Sequence, residues 1–396
     1  MKKLPADTTV VVGMSGGVDS SVAALLLKKQ GYKVLGMFMK NWEEKDENGI
    51  CQSAGDFEDV ARVCDRLEIP YYSVEFINEY RDHVFAEFLR EYQAGYTPNP
   101  DILCNREIKF NFFLKKALSL GADYLATGHY AQVAENLKMP GQFELLKGKD
   151  QGKDQSYFLY TLKSDILKNV LFPIGGLEKS EVRKVAKEAG LSTHAKKDST
   201  GICFIGERNF PEFLGRYIQS KPGVFKTLDG TRVGSHSGVA FYTLGQRKHL
   251  GLGGQGEPWY VVGKDVQKNV VLVERGGDHP ALFADYLIAD EITWVSPDPN
   301  LEFPFKCRAK NRYRQSDQAC TVFQHENGKL RVVFDEPQRS ITPRQSVVFY
   351  RGETCVGGAM IFSVGPSYFE QKRSPFKTSY EPTQSPIGLD NRLSVS

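Results

Sequence analysis

The stretch Thr8-Thr9-Val10-Val11-Val12-Gly13-Met14-Ser15-Gly16-Gly17-Val18-Asp19-Ser20-Ser21 decides how the chain is read. Thr8–Val12 is a compact β-branched run and reads as a strand. Val18–Gln30 puts Val18, Val22, Leu25 and Leu26 on one face and reads as a helix. Glycines in the connecting loop let the backbone approach a phosphate closely, and the free N–H groups of the helix then face the anion. Ser15, Ser20 and Ser21 add hydroxyl donors, and Asp19 suits orienting the loop or holding Mg²⁺. No Walker lysine follows the glycines, and the spacing is not GxGxxG. A plain Gly-rich turn is the alternative; the agreement in phase of strand, loop and helix weighs against it.

Beyond this stretch, strand-like and helix-like segments alternate. Lys33–Met39, Tyr71–Val74 and Ala122–Thr127 read as strands, and Phe57–Leu67, Asn78–Tyr92 and Asn105–Leu120 as helices. This order implies an α/β domain, a parallel sheet with helices on both faces. Asn41–Asp59 is acidic and reads as a solvated loop. After about residue 215 the pattern changes to short strands: Gly223–Asp229, Val239–Tyr242, Trp259–Val262 and Val270–Val273, separated by glycines. From Leu287 to Phe362 short strands recur at steady spacing, as in a small antiparallel barrel. The expected division is 1–215, a phosphate-loop domain; 216–284, a central connector; 285–365, a basic β-barrel; and 366–396, a disordered tail rich in Ser, Pro, Gln and Lys.

Composition sets the class. The 396 residues suit two or three domains, and 41% hydrophobic with 25% charged residues is ordinary for a globular protein. No run approaches a membrane span, and the N-terminal apolar run is too short for a secretory segment, so a cytoplasmic protein is expected. With 51 basic and 48 acidic residues, the net charge of +3 says little about partners. Residues 301–351, however, hold ten Lys/Arg against five acids, which suits phosphate-backbone binding as well as it suits a solvated surface.

The seven cysteines include no CxxC pair and no zinc-finger spacing, so no metal site is expected. Two have distinctive settings. In Asn99-Pro100-Asp101-Ile102-Leu103-Cys104-Asn105 the prolines hold the chain extended and Asn105 suits capping a helix behind Cys104. A thiol there would have its thiolate favoured by the helix dipole, with Asp101 three residues away for acid/base work. In Asp198-Ser199-Thr200-Gly201-Ile202-Cys203-Phe204-Ile205-Gly206 the glycines suggest an exposed loop. On residue types alone, turn residues and a filler thiol explain the first setting equally well, and a small buried hydrophobe remains the plain reading of Cys203.

The phosphate loop resembles that of the ATP pyrophosphatases, which activate an acceptor oxygen as adenylate and release pyrophosphate. Over Thr9 to Phe362 the chain further resembles the tRNA-specific 2-thiouridylases, through GMSGGVDSS, NPDILCNREIKF, ATGHYA, GKDQSYFL, DSTGICFIG, YTLGQRK and NRYRQ. The resemblance implies ATP-dependent 2-thiolation of the wobble uridine, with ATP and Mg²⁺, tRNA as substrate, and a persulfide relay protein or cysteine desulfurase as sulfur source. It implies that Gly13, Met14, Ser15, Gly16, Gly17, Val18, Asp19 and Ser20, with Met39 and Gly128, bind ATP. Asn99, Pro100 and Asp101 would contact the target base. Cys203 would carry the persulfide, and Cys104 would be the nucleophile that pairs with it transiently. Lys153, Asp154, Gln155, Arg312, Tyr313, His129 and Gln345 would contact tRNA. Taken singly, His129 reads as a satisfied turn histidine, Tyr313 as barrel core and Lys153 as a loop charge. The sequence departs from the family at His249 and Arg344, where glycine is common. Three competitors remain: a small-molecule ATP pyrophosphatase, a non-catalytic RNA-binding protein and a 4-thiouridine-forming relative.

Overall fold

A computed structural model of the chain describes residues 3–43, 52–198, 203, 205, 210–296 and 301–375. The first half holds β1 (Thr9–Met14), α1 (Val18–Lys29), β2 (Lys33–Lys40), α2 (Gln52–Leu67) and β3 (Tyr71–Glu75). Two composite helices follow: α3, through Ile77–Tyr80, Arg81–Phe85 and Ala86–Gln93, and α4, through Pro100–Leu103, Cys104–Phe113 and Leu114–Ser119. The middle segment of each is a π-helix. Then come β4 (Tyr124–Ala126), the hairpin β5 (Ala131–Glu135) and β6 (Phe143–Lys147), β7 (Val170–Leu171) and α5 (Lys179–Glu188).

Among the described residues the first sheet has the order β3-β2-β1-β4-β7, every pair parallel. Side chains alternate across a strand, so β1 serves two cores. Val10 and Val12 pack with Val22, Leu25 and Leu27 of α1 and Val60 and Val63 of α2. Val11 packs with Tyr80 and Phe88 of α3 and Ile108 and Phe113 of α4. Leu27, rather than Leu26, completes the buried face of α1. The sheet is thus covered on both faces, and its order reverses at β1, whose carboxyl end lies at the crevice where such sheets bind ligands.

The central region contains β8 (Gly223–Lys226), β9 (Arg232–His236), β10 (Trp259–Asp265) and β11 (Val270–Arg275), in the order β10-β11-β8-β9. Val239–Phe241, expected as strand, is a 3₁₀ turn. The next residue, Tyr242, turns inward against Phe225 and His236, with ring centroids 5.1 and 5.3 Å away.

The last region is a closed antiparallel barrel of β12 (Phe283–Trp294), β13 (Phe305–Lys310), β14 (Gln318–Gln324), β15 (Leu330–Arg339), β16 (Ser346–Arg351) and β17 (Thr354–Val364). Its order is β12-β15-β14-β13-β16-β17, and β17 pairs back with β12. Leu287, Val322, Val332, Val347, Phe349 and Ile361 fill its interior. The β5–β6 hairpin, unforeseen in the sequence, extends this sheet: Leu145 and Leu146 pair with Cys355 and Thr354 of β17. Tyr157 Oη donates to Ser346 O at 2.9 Å and Lys147 N to Glu353 O at 2.9 Å, so the barrel is stitched to the first half.

Other expectations need correction. The acidic segment 41–59 is not all loop: from Gln52 it is α2, and Asp56 and Asp59 hold Lys196 Nζ at 2.8 and 2.6 Å. Residues 44–51 lie outside the described residues. Past Gly365 the chain forms no strand or helix among the described residues, yet it stays packed at Tyr368. Tyr368 is 4% exposed against Leu282 and Phe283, and its hydroxyl donates to Asp285. Residues 376–396 lie outside the described residues. The barrel's bases are not all on its surface either: Lys310 is buried, and Arg312 and Arg344 are half-buried in polar contacts.

Candidate active site

The phosphate loop runs from the end of β1 into α1. Ser15 N donates to Ser20 Oγ at 3.2 Å, and the hydroxyls of Ser20 and Ser21 donate to Gly17 O at 3.2 and 2.8 Å. Gly16 has φ +73°, and a Cβ there would lie 2.6 Å from Asp56 O. Gly17 caps α1 without a side-chain acceptor, so the first-turn N–H groups stay available to an anion. Gly128, just after β4, lies against the same turn: a Cβ there would be 2.7 Å from Asp19 C and Ser20 N. Met39 is buried at the end of β2, in the core that also holds Val11.

Asp19 is the hinge of a charge cluster. Its carboxylate accepts Lys179 Nζ at 2.8 Å and Tyr130 Oη at 2.8 Å. Lys179 also meets Asp198 Oδ1 at 2.8 Å, and Asp198 receives Lys153 at 2.6 Å and Arg183 at 2.7 Å. Burial raises the Asp198 carboxyl, but Lys153 and Lys179 outweigh it and hold it at about 2. The first residue of α5 thus places a cation against Asp19 of the phosphate loop, and Lys153 belongs to the same cluster.

The two cysteines meet in the same domain. Cys104 Sγ lies 3.7 Å from Cys203 Sγ and donates to it. The helix carrying Cys104 begins earlier than expected: Asn99, not Asn105, is its cap, accepting Asp101 N at 3.1 Å, and Pro100 is its first residue. Cys104 thus sits beyond the first turn and is fully buried, and burial pushes its thiol well above the ordinary range. The dipole argument for Cys104 is overturned. Cys203 is the group shifted down: the Cys104 S–H bond, then the Lys109 ammonium, outweigh its burial. Asp101 Oδ1 accepts Cys203 N at 3.2 Å, and Tyr80 Oη donates to Cys203 O at 2.8 Å. Burial raises the Asp101 carboxyl, with Lys109 opposing. Ser199 to Ile202, Phe204 and Gly206 lie outside the described residues.

The residues expected to contact tRNA separate into groups. His129 is 8% exposed, its Nδ1 2.7 Å from Thr127 Oγ1 and its ring between Phe110 and Phe172. Asp154 is buried and takes Gly148 N, Ser156 Oγ and Lys310 Nζ. Arg312 donates to Leu244 O, Ser340 O and Thr342 Oγ1, tying the central region to the barrel. His129 and Asp154 are buried and Arg312 is half-buried, each held by these intramolecular contacts. Gln155 accepts Tyr130 N at 2.9 Å, and Gln345 donates to Thr97 O. Tyr313 packs against Phe158 with ring centroids 4.3 Å apart and planes tilted by 47°, and it lines a cavity of about 630 Å³ with Gln151, Arg308 and Arg314. His249 and Arg344 have φ +61° and +68°, the region glycine prefers.

Three segments match family models: 8–207 a tRNA methyl transferase HUP domain, 211–275 a tRNA methyl transferase PRC-barrel domain, and 284–361 an aminomethyltransferase β-barrel domain. Full-length relatives carry a different activity in their names. The tRNA-specific 2-thiouridylase of Protochlamydia amoebophila is 61% identical over 92% of this chain and 96% of its own. Those of Geobacillus kaustophilus and Bacillus subtilis are 57% and 56% identical, each over 92% of this chain and 97% of its own. The chain belongs to the tRNA-specific 2-thiouridylase family. Among solved structures, an NMN synthetase from Francisella tularensis aligns over 49% of this thiouridylase-family chain and 67% of its own, at 17% identity and a TM-score of 0.30, too slight a likeness to carry an argument. Among the described residues no helix is long and apolar enough to cross a membrane.

Lys109, Lys179 and Tyr130 are the site residues the sequence did not single out in this thiouridylase-family chain. Lys109 and Tyr130 stand inside motifs already quoted, NREIKF and ATGHYA, but their partners lie 94 and 111 residues away. Only the spacing of Lys109 from Cys104 within one helix was a usable signal.

Proposed function

We propose that this protein 2-thiolates the wobble uridine of tRNA, using ATP to adenylate the C2 oxygen and a persulfide on Cys203 to supply sulfur. The observation that carries the reading is the 3.7 Å approach of Cys104 and Cys203 Sγ in the domain that also holds a phosphate loop. A small-molecule ATP pyrophosphatase needs no such pair.

ATP binds with its phosphates at Ser15 to Ser20 and the start of α1. Lys179 faces the charge that builds on pyrophosphate. Mg²⁺ would offset the charge of the phosphates and be held by them with Asp19, whose two oxygens take the Lys179 ammonium in this structure. A stacked anticodon base cannot reach this centre, so the uridine is flipped out against Asn99, Pro100 and Asp101. Cys203, the thiolate of the pair, takes the sulfane sulfur from a relay protein or desulfurase. The terminal sulfur attacks C2 and displaces AMP. Cys104 then loses its proton to Asp101 and attacks Cys203 Sγ. The bond from Sγ to the transferred sulfur breaks, 2-thiouridine leaves, and a Cys104–Cys203 disulfide remains. A cytosolic dithiol reductant supplies the two electrons that reset it. The exposed Lys306, Arg308, Arg314 and Arg331 present the backbone-binding charge.

The deciding experiment incubates unmodified tRNA with the protein, ATP, Mg²⁺ and a persulfide source, then reads the nucleosides by mass spectrometry. 2-Thiouridine is expected. 4-Thiouridine, or pyrophosphate release independent of tRNA, overturns the reading.

A further inference from the structure

Cys104 and Lys109 both belong to the π-helical segment Cys104–Phe113 of α4. A π-turn bonds each residue to the one five along, so these two stand one hydrogen-bonded turn apart. Such turns concentrate at functional sites. From this position the half-buried Lys109 reaches the cysteine pair and hydrogen-bonds Cys203.

Among the described residues, the charged or titratable groups that act on the pair come from two helices. Asp101, Cys104 and Lys109 come from α4, and Tyr80 from α3. His129, the remaining titratable group near Lys109, is driven well below its usual range by burial and by Lys109, so it is neutral. Lys109 is therefore the one positive charge among these groups.

The proposed sulfur transfer places a single negative charge on the sulfurs at successive stages. It begins on Cys203 Sγ, moves to the terminal sulfur of the persulfide, and returns on Cys104 when that thiol is deprotonated. The Cys104 S–H bond steadies only the first stages, because Cys104 must lose its proton to attack. A fixed cation is needed throughout.

We propose that Lys109 is a catalytic residue, its ammonium holding that negative charge on the Cys104–Cys203 pair from sulfur uptake to disulfide formation. The proposal rests on the sulfur-transfer reading above, yet its test needs neither ATP nor tRNA.

The test is the pH profile of Cys203 alkylation by iodoacetamide, read by peptide mass spectrometry, in the native chain and in K109M, K109R and C104A. In K109M the midpoint should rise by about one pH unit or more, giving about tenfold slower alkylation near pH 7. K109R should stay near native. C104A loses the stronger of the two stabilising contacts, so its midpoint should rise, and adding K109M to it should raise the midpoint further. A K109M profile that superimposes on the native one overturns the proposal. So does a K109R profile displaced as far as K109M, which would mark a packing effect. Should K109M fail to fold, K109Q takes its place: a K109Q profile that superimposes on the native one would assign the effect to Cys104 and overturn the role of Lys109. Altered profiles without 2-thiouridine formation would overturn the sulfur-transfer reading and leave the Lys109–Cys203 charge pairing standing.

Discussion

Lys310 Nζ of the barrel lies 3.3 Å from Asp154 Oδ2 of the first half, with side chains 9% and 1% exposed. Lys147 Nζ and Asp317 complete the network at 2.5 Å, and both lysines lie over the Tyr350 ring. A buried ion pair contributes little net stability when whole, but removing one partner strands a charge.

Asp154→Ala should therefore destabilise the fold by about 3–5 kcal/mol. Chemical denaturation measures this. The salt dependence of tRNA binding by the folded fraction should not change, and a reduced slope would return Asp154 to the RNA surface.

Arg308→Gln should do the opposite. Arg308 is exposed and lines the cavity beside Tyr313. Its loss should leave stability unchanged and lower the slope of log K against log salt by about one. Filter binding over a salt series is the measurement.

Gly128→Ala should impair the ATP step. Its Cβ would meet backbone atoms of Asp19 and Ser20 at 2.7 Å, so the start of α1 must shift. Misplacement on that scale costs about a hundredfold. Pyrophosphate release should fall by that order, with the alkylation profile of Cys203 unchanged.

Cys203→Ser and Cys104→Ser should fail at different stages. Cys203→Ser should form no persulfide and no 2-thiouridine while still releasing pyrophosphate. Cys104→Ser should accumulate tRNA joined to the protein through a disulfide, visible on a non-reducing gel and lost on adding thiol.

His249→Gly should stabilise the chain by about 1 kcal/mol, because φ +61° costs a residue with a Cβ roughly that much. A thermal melt checks it. Arg344 is a poorer test, since its guanidinium pairs with Glu91 at 3.0 Å and would take that contact with it.

What could be read from the sequence followed from local pattern. β1, the glycine loop and α1 announce themselves because a β-branched run, chain flexibility and helical periodicity follow one another between Thr8 and Gln30. The barrel strands show for the same reason. The β5–β6 hairpin does not, because its partner β17 lies some 200 residues on and neither strand is strongly β-branched. Cys104 and Cys203 stood out by setting, but their charge states did not: these depend on burial and on Lys109, which no spacing reveals. The cluster of Asp19, Lys179 and Asp198 was hidden likewise, since its members are up to 179 residues apart and the missing loop cation was sought only next to the glycines.

The β5–β6 hairpin also bears on how the molecule can be rebuilt. A chimera with its crossover near residue 284 would transplant β12 to β17 but leave Leu145 and Leu146 with the donor of the first half. The exchanged barrel would lose its pairing at Thr354 and Cys355, exposing a strand edge, and Lys310 would be left without Asp154. Recombination should thus favour junctions that carry residues 131–154 together with the barrel, so the heritable unit is discontinuous in the gene although continuous in the sheet.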